Sequence, residues 1–214
     1  MSRSDTDAAT WDMIHAERAR VADMLEGLRA DQWTKASLCG GWSVKLAAAH
    51  IMKSGEQTMP DFFIGMVRNG FRFNVMIDRD AHRLGALSEG EIIRRIRART
   101  TTTNRPPAPV LAMLGEVVIH GADIRYALGL FDDTEPASKL ACLTMFANSR
   151  FPVPSKQAIE GLSLRATDGE WSHGNGPHVT GPMQALLLAM TGRAQAIGSL
   201  SGDGVARLAK RIGS

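Results

Sequence analysis

The sequence is short of cysteine and of aromatic side chains: its 214 residues contain two cysteines, Cys39 and Cys142, one tyrosine, and 6% aromatics. Two cysteines do not make a disulfide framework, so a cytoplasmic setting is expected. Long apolar runs are missing too. No window approaches the ~18 uninterrupted apolar residues of a membrane span, and the opening MSRSDTDAAT carries no apolar core of a secretory signal. Nor is there a strong excess of one charge. The formal net charge is +3, and a pI near 9.1 reflects many arginines without arguing for nucleic acid. No HExxH, no Gly-rich phosphate loop ending in Lys-Ser/Thr and no GxSxG elbow occurs, which removes zincin, phosphate-loop and α/β-hydrolase chemistry.

What is present is ordinary globular material, 44% hydrophobic and 22% charged, which excludes a disordered chain, a collagen and a coiled-coil rod. Trp11, Ile14, Val21, Leu25 and Leu28 recur at helical steps with Glu17, Arg18, Arg20 and Glu26 between them, predicting an amphipathic helix. DQWTKASLCGGWSV reads as a loop closed by an N-cap at Ser43, followed by a helix through LAAAHIMKSGEQ whose alanines suit a bundle interior. Residues 54–87, interrupted by glycines and Pro60, read as broken helix with loops. Ser88 and Glu91 form a capping-box pattern before a helix carrying Ile92, Ile93 and Ile96. NRPPAPV separates it from LAMLGEVVIHGADIRYALG, with Gly129 as the C-terminal cap. A further helix is expected from Thr134 to about Ser149, and FPVPS is a linker by composition. Beyond it, GLSLRATDGEWSHGNGPHVTGP predicts short strands, then two helices, over 182–192 and in GDGVARLAKRI. The expected architecture is a helical bundle over residues 1–152 and a small α+β domain over 153–214, the latter packing on the bundle because a piece that small is marginal alone.

Glu116 and His120 stand four apart, side by side on one helix face among Leu111, Leu114, Val117, Val118 and Ile119. Burying a carboxylate beside an imidazole is costly unless something neutralises them, and a metal ion does so. A simple Glu–His hydrogen bond is the alternative. His50, in AAAHI, adds a third group of ligand type on a second helix expected to face the interior. Two histidines and one carboxylate with an open fourth position is the donor count of a catalytic zinc site.

The runs SLCGGWSVKLAAAHI and GEVVIHGADIRYALG, with ATDGEW and GPMQALLLAMTGR, resemble the mycothiol-dependent maleylpyruvate isomerase family, a branch of the DinB-like four-helix-bundle superfamily. The resemblance covers nearly the whole chain in the same order. It implies a DinB-like bundle followed by a small α+β domain. It also implies Zn2+, or another divalent metal, held by His50, Glu116 and His120, with mycothiol as thiol cosubstrate.

Asp123 follows His120 by three residues. It either orients that histidine or relays a proton, or it caps or pairs with an arginine such as Arg125. Arg165 and Arg193 are candidates to hold a substrate carboxylate, against ordinary surface salt bridges. Cys39, with no histidine near in sequence, reads as a packed small side chain, and Cys142 as core. His15 is expected in solvent, and His173 and His178 could approach each other across a hairpin. Arginines 94, 95, 97, 99 and 105 read as a solvated stripe with Glu91 pairing Arg95, and without interleaved aromatics they do not suggest nucleic-acid binding.

The functional expectation is a zinc-dependent enzyme that uses a low-molecular-weight thiol for S-transfer to, or cis–trans isomerisation of, a small electrophile. The partners are then small molecules, without nucleic acid or membrane, and the chain a monomer or homodimer. A non-catalytic zinc- or thiol-binding sensor and a zinc-water hydrolase are the alternatives.

Overall fold

A computed structural model describes residues 3–213 as two compact units, one ending at Asp133 and the other starting at Thr134. The first holds α1 (Arg3–Glu26), α2 (Ala30–Trp33), α3 (Val44–Glu56), α4 (Met59–Arg68), α5 (Phe73–Gly85), α6 (Glu89–Ala98) and α7 (Val110–Leu128). Four of these close a ring: α1 packs on α6 and α7, and α3 packs on the same two. The fold is the expected helical bundle, followed by a small C-terminal α+β part.

The helices start and stop where the chain chemistry says they should. Ser43 Oγ accepts from Leu46 N at 3.3 Å to open α3, and Gly129, at φ 64°, closes α7 in the left-handed conformation that glycine adopts without steric cost. Ala47, Ala48 and Ala49 are fully buried, so α3 approaches its neighbours closely. Ile14, Leu25, Leu114 and Ile124 fill the interior, each contributing roughly 1.5–3 kcal/mol of hydrophobic stabilisation.

Several details differ from the sequence reading. Residues 54–87 hold two ordered helices, α4 and α5, where glycines suggested breaks. Gly65 is where the two approach, since a Cβ there would lie 2.7 Å from Met76 Sδ. Glu17 and Arg18 are buried rather than on a solvated face. Arg18 donates to the carbonyls of Arg99 and Thr102 beyond α6, and its burial lowers its pKa to about 10. His15 is half-buried and stacks on Trp11 at 5.9 Å. Ser88 Oγ caps Glu91 N as expected, but the Glu91 carboxylate takes Arg94. Arg95 instead reaches Glu56 of α3, and Arg97 reaches Asp23 and Glu26 of α1. These arginines tie α6 to both of its neighbours and are not merely solvated.

The second unit contains α8 (Pro136–Phe146), α9 (Ser155–Ile159), β1 (Ser163–Ala166), β2 (Ser172–His173), β3 (His178–Gly181), α10 (Met183–Met190), a 3-10 turn (Ala194–Ser199) and α11 (Val205–Ile212). α8 was expected with the bundle, but it packs on the apolar α10 in this unit. Cys142 is fully buried on α8, as expected. The sheet order is β2-β1-β3, with β1 antiparallel to β2 and parallel to β3. That order separates His173 from His178, because β1 lies between their strands.

Candidate metal centre

α3 and α7 pack side by side and present His50 to Glu116 and His120. His50 Nε2 lies 2.7 Å from Glu116 Oε2, and His120 Nε2 lies 3.7 Å from the same oxygen. The imidazoles meet edge to face with centroids 4.7 Å apart. One ligand atom from each residue lies within 4.8 Å of the other two. Tetrahedral zinc with ligands at ~2.0–2.1 Å spaces its donors by about 3.3 Å, and the 2.7 and 3.7 Å separations from Glu116 lie on either side of that value. The Glu116 side chain is 31% exposed, against 9% for His50 and 13% for His120, so the group opens to solvent on the carboxylate's side.

Asp123 is fully buried, and its Oδ2 lies 3.0 Å from His120 Nδ1. In the tautomer with the proton on Nδ1, the imidazole donates to this carboxylate and its Nε2 lone pair is left on the side of Glu116. A carboxylate behind a histidine in this way is the arrangement that orients metal-ligating imidazoles. The alternative of Asp123 pairing with Arg125 does not occur, since Arg125 forms its ion pair with Asp133 at 2.6 Å.

Two further residues at the centre were not identified from the sequence. The loop before α3 is pinched by a bridge between Ala36 and Ser43 and by Trp42 N donating to Cys39 O at 3.0 Å. Leu38 N donates to Asp123 O at 3.3 Å, which ties the loop to α7. These contacts bring Cys39 Sγ within 4.8 Å of ligand-type atoms of His120 and Asp123. They also lay the Trp42 indole against both imidazoles, 5.1 Å from His50 and 6.0 Å from His120. Trp42 Nε1 donates to Asp78 Oδ1 of α5 at 3.0 Å, which fixes the ring as one wall of the site. The only hint in the sequence was the CGGW turn leading into the His50 helix.

The other two predicted residues belong to the second unit. Arg165 is exposed on β1 and forms no ion pair among the described residues. Arg193 is half-buried and donates to Thr191 O at 2.8 Å.

Residues 14–61 match the family profile of the mycothiol maleylpyruvate isomerase N-terminal domain. That segment, under a quarter of the chain, is similar to the N-terminal domain of the mycothiol-dependent maleylpyruvate isomerases. The match takes in Cys39, Trp42 and His50 and ends before Glu116. A solved structure of the mycothiol-dependent maleylpyruvate isomerase aligns over 92% of both chains at 13% identity, with a TM-score of 0.64. A histidine-to-alanine mutant of that isomerase aligns over the same shares at 12% identity, with a TM-score of 0.59. At these identities the likeness speaks for the fold. Comparison with curated proteins gives no match. Among the described residues no helix is long and apolar enough to cross a membrane.

Proposed function

We propose that this chain belongs to that family and is a thiol-dependent transferase or isomerase built on a divalent metal, zinc by its donor set, held by His50, Glu116 and His120. The observation that carries the reading is the convergence of those three donors with the buried Asp123 behind His120. A bound zinc ion would supply the positive charge that keeps a thiol in its nucleophilic, deprotonated form at neutral pH. The thiol is mycothiol by the family's chemistry, and the acceptor is a small electrophile. Sulfur adds to a carbon conjugated to a carbonyl. If the adduct rotates and expels the thiol, the double bond changes geometry, and if it is kept, the product is a thioether.

The chain's own residues prepare this site. Asp123 fixes the tautomer and the ring angle of His120. Trp42 covers both imidazoles on one side and keeps bulk water from them, while the exposed side of Glu116 leaves an approach for small molecules. Arg165, which forms no ion pair among the described residues, and Arg193 are proposed to hold substrate carboxylates.

The test is metal quantification on the wild type and on His120→Ala, followed by a thiol-consumption assay with mycothiol and a panel of electrophiles. Wild type should retain roughly one zinc per chain and consume thiol only with electrophile present, and the variant should do neither. Turnover that needs no thiol would replace this reading with hydrolysis. Metal binding without any turnover would leave a sensor or accessory protein.

A further inference from the structure

A second polar concavity lies in the first unit, among α3, α4 and α5. It is a cleft of about 530 Å³ lined by Lys53, Asp61, Arg68, Arg79, Asp80 and Arg83, with Asn69, Ile64 and Gly65. Its volume falls within the roughly 300–1,000 Å³ range of small-ligand sites. Four cations face two carboxylates, which leaves a surplus of two positive charges.

Both carboxylates are already engaged, and Asp61 also feels the charge of Lys53. Asp61 Oδ2 accepts from Thr58 N at 3.2 Å and Thr58 Oγ at 2.7 Å in the capping box of α4. Asp80 is taken by Arg83 at 2.7 Å. Arg79 donates one N–H to Asn69 Oδ1 at 3.0 Å and keeps its other donors. Among the described residues the Arg68 side chain makes no hydrogen bond and no ion pair. Guanidinium groups in excess over the carboxylates around them repel one another, and oxyanions satisfy them in forked pairs.

We infer that this cleft is a binding site for a small anion of charge −2 or more that carries two carboxylate or phosphate groups. Arg68 and Arg79 are its principal anchors, and Lys53 and Arg83 complete the positive lining. A dianion brings the lining to neutrality, whereas a monoanion leaves it charged. Lys53 stands three residues, about 4.5 Å along the axis, beyond His50 on α3, so the site begins one turn from the candidate metal centre without sharing a residue with it. The inference does not depend on the metal reading.

Calorimetric titration of the full chain at low ionic strength tests it, with succinate and inorganic pyrophosphate as probes and acetate as the monoanion control. At least one of the two probes should bind, and more tightly than acetate. Succinate alone identifies a carboxylate site, and pyrophosphate alone a phosphate site. Arg68→Gln and Arg79→Gln should each weaken binding about tenfold, the loss expected of one charge-assisted hydrogen bond. Arg68 has no partner whose loss could unfold the chain. Arg94→Gln, outside the cleft, should change nothing, and His120→Ala should bind the probe as the wild type does. Probes that bind no better than acetate, unaffected Arg68 and Arg79 variants, or an equal loss in Arg94→Gln would overturn the inference. So would loss of binding in His120→Ala.

Discussion

Replacing Asp123 tests the site without touching a proposed ligand. Its carboxylate is fully buried and 3.0 Å from His120 Nδ1, so neither solvent nor salt screens the contact. Asp123→Asn keeps an acceptor oxygen but removes the charge, whereas Asp123→Ala removes both and lets the imidazole turn. Loss of such an outer partner weakens metal affinity about 10- to 100-fold, or about 1.4–2.7 kcal/mol. The Asn variant should fall near the lower end of that range and the Ala variant near the upper end. Competition against a chromophoric zinc chelator at fixed pH measures the affinity. Urea denaturation of the metal-free proteins separates it from folding, where Asp123→Ala should cost about 1–3 kcal/mol for the partners it strands. If both variants folded and bound zinc as tightly as wild type, the orienting role of Asp123 would be wrong, and with it the assignment of His120 Nε2 as a ligand atom.

His50→Ala should abolish stoichiometric zinc, as His120→Ala should, because either change leaves two donors where zinc needs three or more from protein; elemental analysis after dialysis reads it. Gly121→Ala should destabilise the bundle by about 1–3 kcal/mol in urea, since a Cβ there would lie 2.8 Å from Arg125 Nη1 and 3.1 Å from Val21 Cγ2. The Arg125 tip cannot retreat cheaply, being buried and paired with Asp133. The hydrogen bond from Arg97 holds the Glu26 carboxyl below its ordinary 4.5. The stability this pair contributes is complete above that pH and lost as the pH falls through the lower folded value. In a Tm-against-pH series, Arg97→Gln should therefore flatten the acid limb.

The two helices that carry the site were legible because their signals are local. Glu116 and His120 stand one turn apart in an apolar stretch, His50 sits among alanines, and Ser43 and Gly129 mark where those helices begin and end. Cys39 and Trp42 were not legible as members of the site, because what brings them there is the Ala36–Ser43 bridge and the Leu38–Asp123 hydrogen bond, contacts made across the fold. The same limit explains Arg95. Helical spacing offered it Glu91, but Glu56 on a neighbouring helix offers a forked carboxylate at 2.8 Å and took it. The order of β1, β2 and β3 was hidden for a related reason: the turn residues between strands locate reversals of the chain but do not say which strand lies in the middle.

The arginine ties of α6 have a consequence for how the bundle breathes. Ile92 and Ile96 are its buried residues, and outside that short apolar contact its hold on α1 and α3 runs through polar ties, those of Arg97 and Arg95 together with Lys45–Glu89 and Arg18–Arg99. α3 and α7 are sealed by far more apolar surface. Among the four helices of the ring, local opening should therefore begin at α6, whose amides would exchange with deuterium before those of the two rods bearing the imidazoles.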